Sequence, residues 1–179
     1  MVSRIWKETE KPVKWFSIAN FYRNEKPQKG RNREFWQLNA DIFGEESLSA
    51  DIEVLTLALE LLRAFHPPKG SYKLKLNHRQ LITGFLEEVL GVTDKEKQKS
   101  ITRLMDKYEK LPKETFEKLL HEIDDSIEMI FVEQFMKART IQDLQESFLS
   151  LSGSESFEAF KIIITTLKNL GYGEEIEFS

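Results

Sequence analysis

The chain has 179 residues and no cysteine, so it can bury one sizeable core, or a core with a small lobe, but can form neither disulfides nor thiolate metal sites. Its net charge of −4 and pI of about 5.6 mean that any contact with a polyanion must come from a local patch and not from the surface as a whole. No apolar run approaches the ~20 residues of a membrane-spanning helix, and the first residues lack the apolar stretch of a signal peptide, so a cytoplasmic protein is the expectation.

Val2, Ile5 and Trp6 stand at helical spacing ahead of a charged segment and Pro12, which reads as the tail of a helix. VKWFSIANFYR follows, rich in aromatic and β-branched residues and free of Gly and Pro; this is strand composition. EFWQLNADIF then alternates with period two. Trp36, Leu38, Ala40 and Ile42 share one face, expected to be a core face, while Phe35, Gln37, Asn39, Asp41 and Phe43 share the other. Between the strands lie five basic residues, Arg23, Lys26, Lys29, Arg31 and Arg33, against one acid, Glu25, with Pro27 and Gly30 in the same run. That is a charged loop joining two antiparallel strands. If the first strand stays extended, Arg23 and Glu25 share a face and meet the odd face of the second. A cationic hairpin over such a face suits a polyphosphate, because guanidinium groups bind phosphate oxygens in bidentate fashion.

Further along, Ser49 reads as the N-cap of a helix with Asp51 and Glu53 in its first turn, apolar nearly all round and hence buried on a sheet. Pro67 and Pro68 end it, Gly70 turns the chain, and YKLKLN alternates as a strand. Asn77 with Gln80 and Thr93 with Glu96 both have capping-box spacing. From about Thr93 to Leu151 the chain is charged and helical, with apolar stripes at Ile101, Leu104, Met105 and Tyr108, at Phe116, Leu119, Leu120 and Ile123, and at Ile141, Leu144 and Phe148. SLSGSES breaks the pattern, FEAFKIIITTLKNLG is a last amphipathic helix stopping at Gly171, and EEIEFS reads as an edge strand. His66, His78 and His121 are scattered without metal-ligand spacing and read as structural or surface residues. The Phe131, Phe135 and Met136 stripe reads as core, and Asp124 with Asp125 as a helix boundary.

The run from Tyr22 to Gly44 resembles motif 2 of the class II aminoacyl-tRNA synthetases, and within them that of the histidyl-tRNA synthetase family, whose pattern is R-x-E-x-P-Q-x-G-R-x-R-x-F-x-Q-x-x-x-(E/D)-x-F-G. Here it is filled by Arg23, Glu25, Pro27, Gln28, Gly30, Arg31, Arg33, Phe35, Gln37, Asp41, Phe43 and Gly44. A weaker resemblance covers most of the chain. It implies an α+β fold: part of a mixed, mainly antiparallel sheet flanked by helices, with a small all-helical insertion lobe. Residues 1–92 would be a partial catalytic domain, 93–151 the helical lobe, and 152–179 a return to the catalytic domain.

The same resemblance implies ATP-dependent activation of histidine and its transfer to tRNA(His), with Mg²⁺ accompanying ATP and a homodimer as the complete enzyme. Arg23 would be the catalytic residue, holding the α-phosphate; Glu25 would accept from the adenine amino group, Phe35 would stack on adenine, and Arg31 would contact the outer phosphates. Gln37 and Asp41 would hold histidine. No motif 1, motif 3, R-G-L-x-Y-Y-T-G segment or anticodon-binding domain is recognisable, so the expectation is a fragment of the catalytic domain that makes no histidyl-adenylate by itself. The alternatives are a non-catalytic regulatory paralogue serving histidine biosynthesis and an RNA-binding or interaction module.

Overall fold

The computed structural model describes Arg4, residues 6–24, Lys26 and residues 28–178. The chain divides into two compact units, Met1–Phe65 and His66–Ser179. Of the apolar set read as an N-terminal helix tail, Val2 and Ile5 lie outside the described residues, and Trp6 stands in a turn.

The first unit is a hairpin and a helix. Strands β1 (Val13–Tyr22) and β2 (Glu34–Phe43) pair antiparallel over their full length, with Ile18 opposite Leu38 and Phe21 opposite Phe35. Helix α1 (Leu48–Ala64) follows. Its N-cap is Ser47, two residues before the expected Ser49, because Ser47 keeps extended backbone angles while Ser49 already lies inside the helix. The Ser47 hydroxyl makes no capping bond and sits 2.6 Å from that of Ser49.

The expected core face of β2 is not covered along its whole length. The Lys14 ammonium reaches the Glu53 carboxylate at 2.6 Å, which ties the open end of the hairpin to α1. Toward the tip, however, Phe16, Ile18, Trp36 and Leu38 are 71, 62, 73 and 42% exposed. Helix α1 likewise buries fully only Leu59, leaving Val54, Leu57 and Leu62 about 40% exposed. One helix cannot roof two ten-residue strands at ~3.3 Å per residue when it meets them at one end.

Gly44 closes β2 at φ +80°, and a Cβ there would stand 2.9 Å from Trp6 Cη2 and 3.0 Å from Lys11 Cγ. Gly44→Ala therefore combines a left-handed backbone penalty of ~1–2 kcal/mol with displacement of Trp6. A fall of about 5 °C or more in melting temperature is expected, whereas an unchanged melting temperature would show that the turn relaxes freely.

The second unit is mainly helical. Strand β3 (Leu74–Leu76) is followed by α2 (Arg79–Gly84), which continues into a π turn at Phe85–Val89. Then come α3 (Lys95–Met105), α4 (Lys113–Ile123), α5 (Met129–Lys137), α6 (Ile141–Ser147) and α7 (Glu155–Leu167). Strand β4 (Ile176–Phe178) returns to pair parallel with β3. Among the described residues the strands thus form two separate two-stranded sheets, one antiparallel and one parallel, in place of the single mixed sheet expected.

Most of the stripes read from the sequence meet in this unit's core, although Phe131 and Met136, read as core with Phe135, are only half-buried and Met129 and Val132 are buried in their place. Phe85 is fully buried, stacks on Phe135 at 4.1 Å between centroids, and meets the edge of Phe148 at 5.4 Å; Phe178 meets both Phe135 and Phe160 edge-on. Two caps differ from expectation. Asp94, not Thr93, caps α3 by accepting from the amides of Glu96 and Lys97, and Asn77 accepts from the neighbouring His78 amide, so no capping box forms at α2. The box that does form is Thr140 with Asp143 on α6.

Two carboxylates clasp helices together. Glu133 on α5 accepts from Lys113 on α4 and Lys137, which hold its carboxyl at about 2, down from 4.5. Asp124, at the end of α4, accepts from Lys97 on α3 and from Ser126, and is likewise held at about 2, down from 3.8. Folded-state pKa values below the unfolded ones stabilise the fold fully above about pH 4.5, and that contribution disappears as pH falls toward 2. Denaturation midpoints of the native chain should decline across this window, and Glu133→Gln should flatten the decline. A native chain indifferent to pH between 5 and 2 (roughly the span of carboxylate titration) would contradict these clasps.

Candidate functional site

The odd face of the hairpin is where the chemistry collects. Arg23 extends the ladder one residue beyond β1, its amide donating to the Arg33 carbonyl at 2.8 Å, so its side chain keeps the alternation and stays on the odd face. The guanidinium carbon lies 4.9 Å from the Phe35 ring centroid, and Nη2 donates to Gln37 Oε1 at 3.4 Å. Gln37 Nε2 donates onward to Asn39 Oδ1. Arg23, Phe35 and Gln37, three of the residues singled out from sequence, are therefore in direct contact.

The hairpin tip is a tight turn. Arg31 donates its amide to Gln28 O at 3.1 Å, and Gly30, the third residue of that turn, has φ +83°, which a type II turn requires at this position and which glycine supplies without steric cost. The turn leaves the basic residues Arg23, Lys26, Lys29, Arg31 and Arg33 on exposed positions. Arg31 stands at the tip and not beside Phe35. Glu25 and Pro27 lie outside the described residues. Asp41 is on the odd face as read, opposite Trp15 and toward the open end, exposed and without a hydrogen bond or ion pair among the described residues.

Phe21 was not anticipated as part of this face. It lies directly opposite Phe35 and stacks on it at 6.4 Å and 21°. Arms counted equally from the Gln28–Arg31 turn would set Asn24 opposite Phe35; the observed register instead pairs Tyr22 with Glu34 and hence Phe21 with Phe35, because the first arm is the longer one. On the opposite face Asn20 and Tyr22 donate to Glu34 at 2.6 and 3.0 Å, and these two bonds hold its carboxyl below the usual range. A cleft of about 380 Å³ between the open end of the hairpin and α1 is lined by Phe16, Ala40, Ile42, Val54 and Leu57, with Lys14, Asp41, Glu53 and Glu60 also on its walls. Among the described residues, no three His, Asp or Glu side chains converge as a metal site.

One face of the hairpin thus carries a cation, two stacked rings and a carboxamide, groups that can meet an anion and a planar ring. The fold is similar to that of a histidyl-tRNA synthetase from Nostoc sp. PCC 7120, on which the chain superposes with a TM-score of 0.75 over 99% of its length and 42% of the other chain, at 21% identity. A family model described as histidyl-tRNA synthetase matches residues 1–178, and the chain belongs to that family. Histidine–tRNA ligase from Leptospira biflexa serovar Patoc is 33% identical over 99% of the chain and 40% of its own length. The ligase from Halorubrum lacusprofundi is 29% identical over 100% and 41% respectively. The chain thus spans about 40% of the length of these curated relatives.

Proposed function

We propose that the odd face of the β1–β2 hairpin is the ATP- and histidine-binding platform of a histidine–tRNA ligase. The observation that carries this is the contact of Arg23 with both Phe35 and Gln37, three residues brought from the two strands onto one surface. In the reaction, a carboxylate oxygen of histidine bonds to the α-phosphorus of ATP while the bond from that phosphorus to the bridging oxygen of the β-phosphate breaks, and pyrophosphate leaves. The protein contributes position and charge. Arg23 neutralises charge gathering on the α-phosphate, Phe35 offers a ring face to adenine, Glu25 accepts from the adenine amino group, and Arg31 at the tip meets the outer phosphates. Mg²⁺ bound to the phosphates of ATP would supply charge that offsets that of the leaving group. Gln37 and Asp41 hold histidine, and the activated histidine passes to tRNA(His) in a cytoplasmic homodimer. Residues 1–92 and 152–179 form parts of the catalytic domain, and 93–151 its helical insertion.

Asp41 is the residue that supplies selectivity. Its exposed carboxylate, without a hydrogen bond or ion pair among the described residues, lies on the polar face roughly 13 Å beyond Gln37 at ~3.3 Å per residue, and can accept from an imidazole N–H or from the substrate ammonium. Calorimetry with non-hydrolysable adenylate analogues tests this. The histidyl analogue should bind the native chain more tightly than the alanyl one, and Asp41→Asn should erase most of that preference while leaving the alanyl affinity intact. Equal affinity of the native chain for both analogues would contradict the proposed function.

A further inference from the structure

Asn39 is a polar residue of the odd face that has no part in that reading. It stands between Gln37 and Asp41 and opposite Ser17. Its Oδ1 accepts from Gln37 Nε2, while Gln37 Oε1 accepts from Arg23. The polarity of this relay is forced. A guanidinium has five donors and no acceptor, so the end of the Gln37 carboxamide that faces Arg23 must be its oxygen. Its NH₂ then points along the strand, and the Asn39 atom that meets it must be oxygen as well.

We propose that Asn39 is a positioning residue, which steadies the Arg23 guanidinium by accepting from the NH₂ of Gln37 and so holding in place the carboxamide whose oxygen the guanidinium selects. The terminal torsion of a glutamine is broad and nearly two-fold, and an acceptor at its second end restricts it. The residue opposite Gln37 is Ala19, which has no polar side-chain atom, and among the described residues Asn39 is the partner the structure provides. Without it Gln37 Nε2 has no side-chain acceptor among the described residues, the carboxamide swings more freely, and the fork loses its fixed place over the Phe35 ring. The phosphate-binding consequence rests on the reading of this face as an ATP platform. The orientation of Arg23 does not.

The test uses the full chain with isotope-labelled arginine and glutamine. In the native chain the Gln37 side-chain NH₂ should show one proton shifted by its hydrogen bond. Asn39→Leu, similar in size and without polar atoms, should abolish that shift, move the Arg23 Nε–Hε resonance, and weaken ATP–Mg²⁺ binding about fivefold, the equivalent of one ordinary hydrogen bond. Asn39→Asp retains the acceptor and should keep both resonances near their native positions, which serves also if the leucine variant does not fold. Native Arg23 and Gln37 resonances in a folded Asn39→Leu chain, or their loss in Asn39→Asp, would overturn the proposal, as would an unchanged ATP affinity in Asn39→Leu. Failure of the native chain to bind ATP at all would instead overturn the nucleotide reading, and the resonances would still decide the role of Asn39.

Discussion

Arg23→Ala is expected to slow single-turnover formation of histidyl-adenylate by about 10² to 10³ in a synthetase carrying this hairpin. The guanidinium contacts both Phe35 and Gln37, at 4.9 and 3.4 Å, and on the proposed reading it meets the negative charge that gathers on the α-phosphate in the transition state. Because that charge is greater there than in the ground state, the loss should fall on the rate more than on substrate affinity. Arg23→Lys should recover little. An ammonium is a point charge that cannot lie flat over a ring, donate to Gln37 and still present two parallel N–H groups to phosphate. A near-native rate in either variant would remove Arg23 from the chemistry.

Phe85→Ala should produce the largest loss of stability, about 3–5 kcal/mol, a large part of the ~5–15 kcal/mol that holds a domain together. The ring has no exposed surface, and its removal strips a stacked partner from Phe135 and an edge contact from Phe148 at once. Its backbone is constrained too. The Phe85 carbonyl accepts from the Leu90 amide at 3.1 Å and the Leu86 carbonyl accepts from Val92 at 2.8 Å, around Gly91 at φ +69°, so the segment has little freedom to collapse into the hole. Urea denaturation measures the effect. A shift in the transition midpoint worth less than about 1 kcal/mol would mean that the aromatic cluster repacks.

Some of this architecture could be read from the residues and some could not, for physical reasons. The hairpin was legible because alternation with period two fixes faces, and because the spacing from Arg23 to Asp41 determines which side chains share one. The helical stripes were legible for the same reason at period 3.6; Ile101, Phe116, Leu120, Leu144 and Phe135 are all buried where periodicity placed them. Caps were less so. Ser47 and Ser49, or Thr93 and Asp94, are equally able acceptors, and the choice falls to whichever residue is still extended when the chain enters the helix.

Burial of the even face was misjudged because alternation tells which residues share a face and not what covers it. Phe16, Ile18 and Trp36 obey the pattern and are exposed nonetheless. The parallel pairing of Leu74–Leu76 with Ile176–Phe178 joins three-residue strands about a hundred positions apart in sequence, a distance over which local pattern has nothing to say. Within the site, the meeting of Arg23 with the odd face of β2 was legible if β1 stays extended, but its apposition to Phe35 and Gln37 follows from a register that spacing about the tip turn does not fix. Asn39 was not, because its part depends on hydrogen-bond polarity and not on position.

The central claim, that the odd face of the hairpin binds a nucleotide and not merely a polyanion, is tested most directly by titrating the isotope-labelled chain with ATP–Mg²⁺ and, separately, with inorganic tripolyphosphate. ATP is expected to shift Phe21, Arg23, Phe35 and Gln37 together with the basic tip, whereas tripolyphosphate should shift the tip and Arg23 and leave the two rings in place. Identical shifts from both ligands, or ATP shifts confined to residues beyond Phe65, would contradict it.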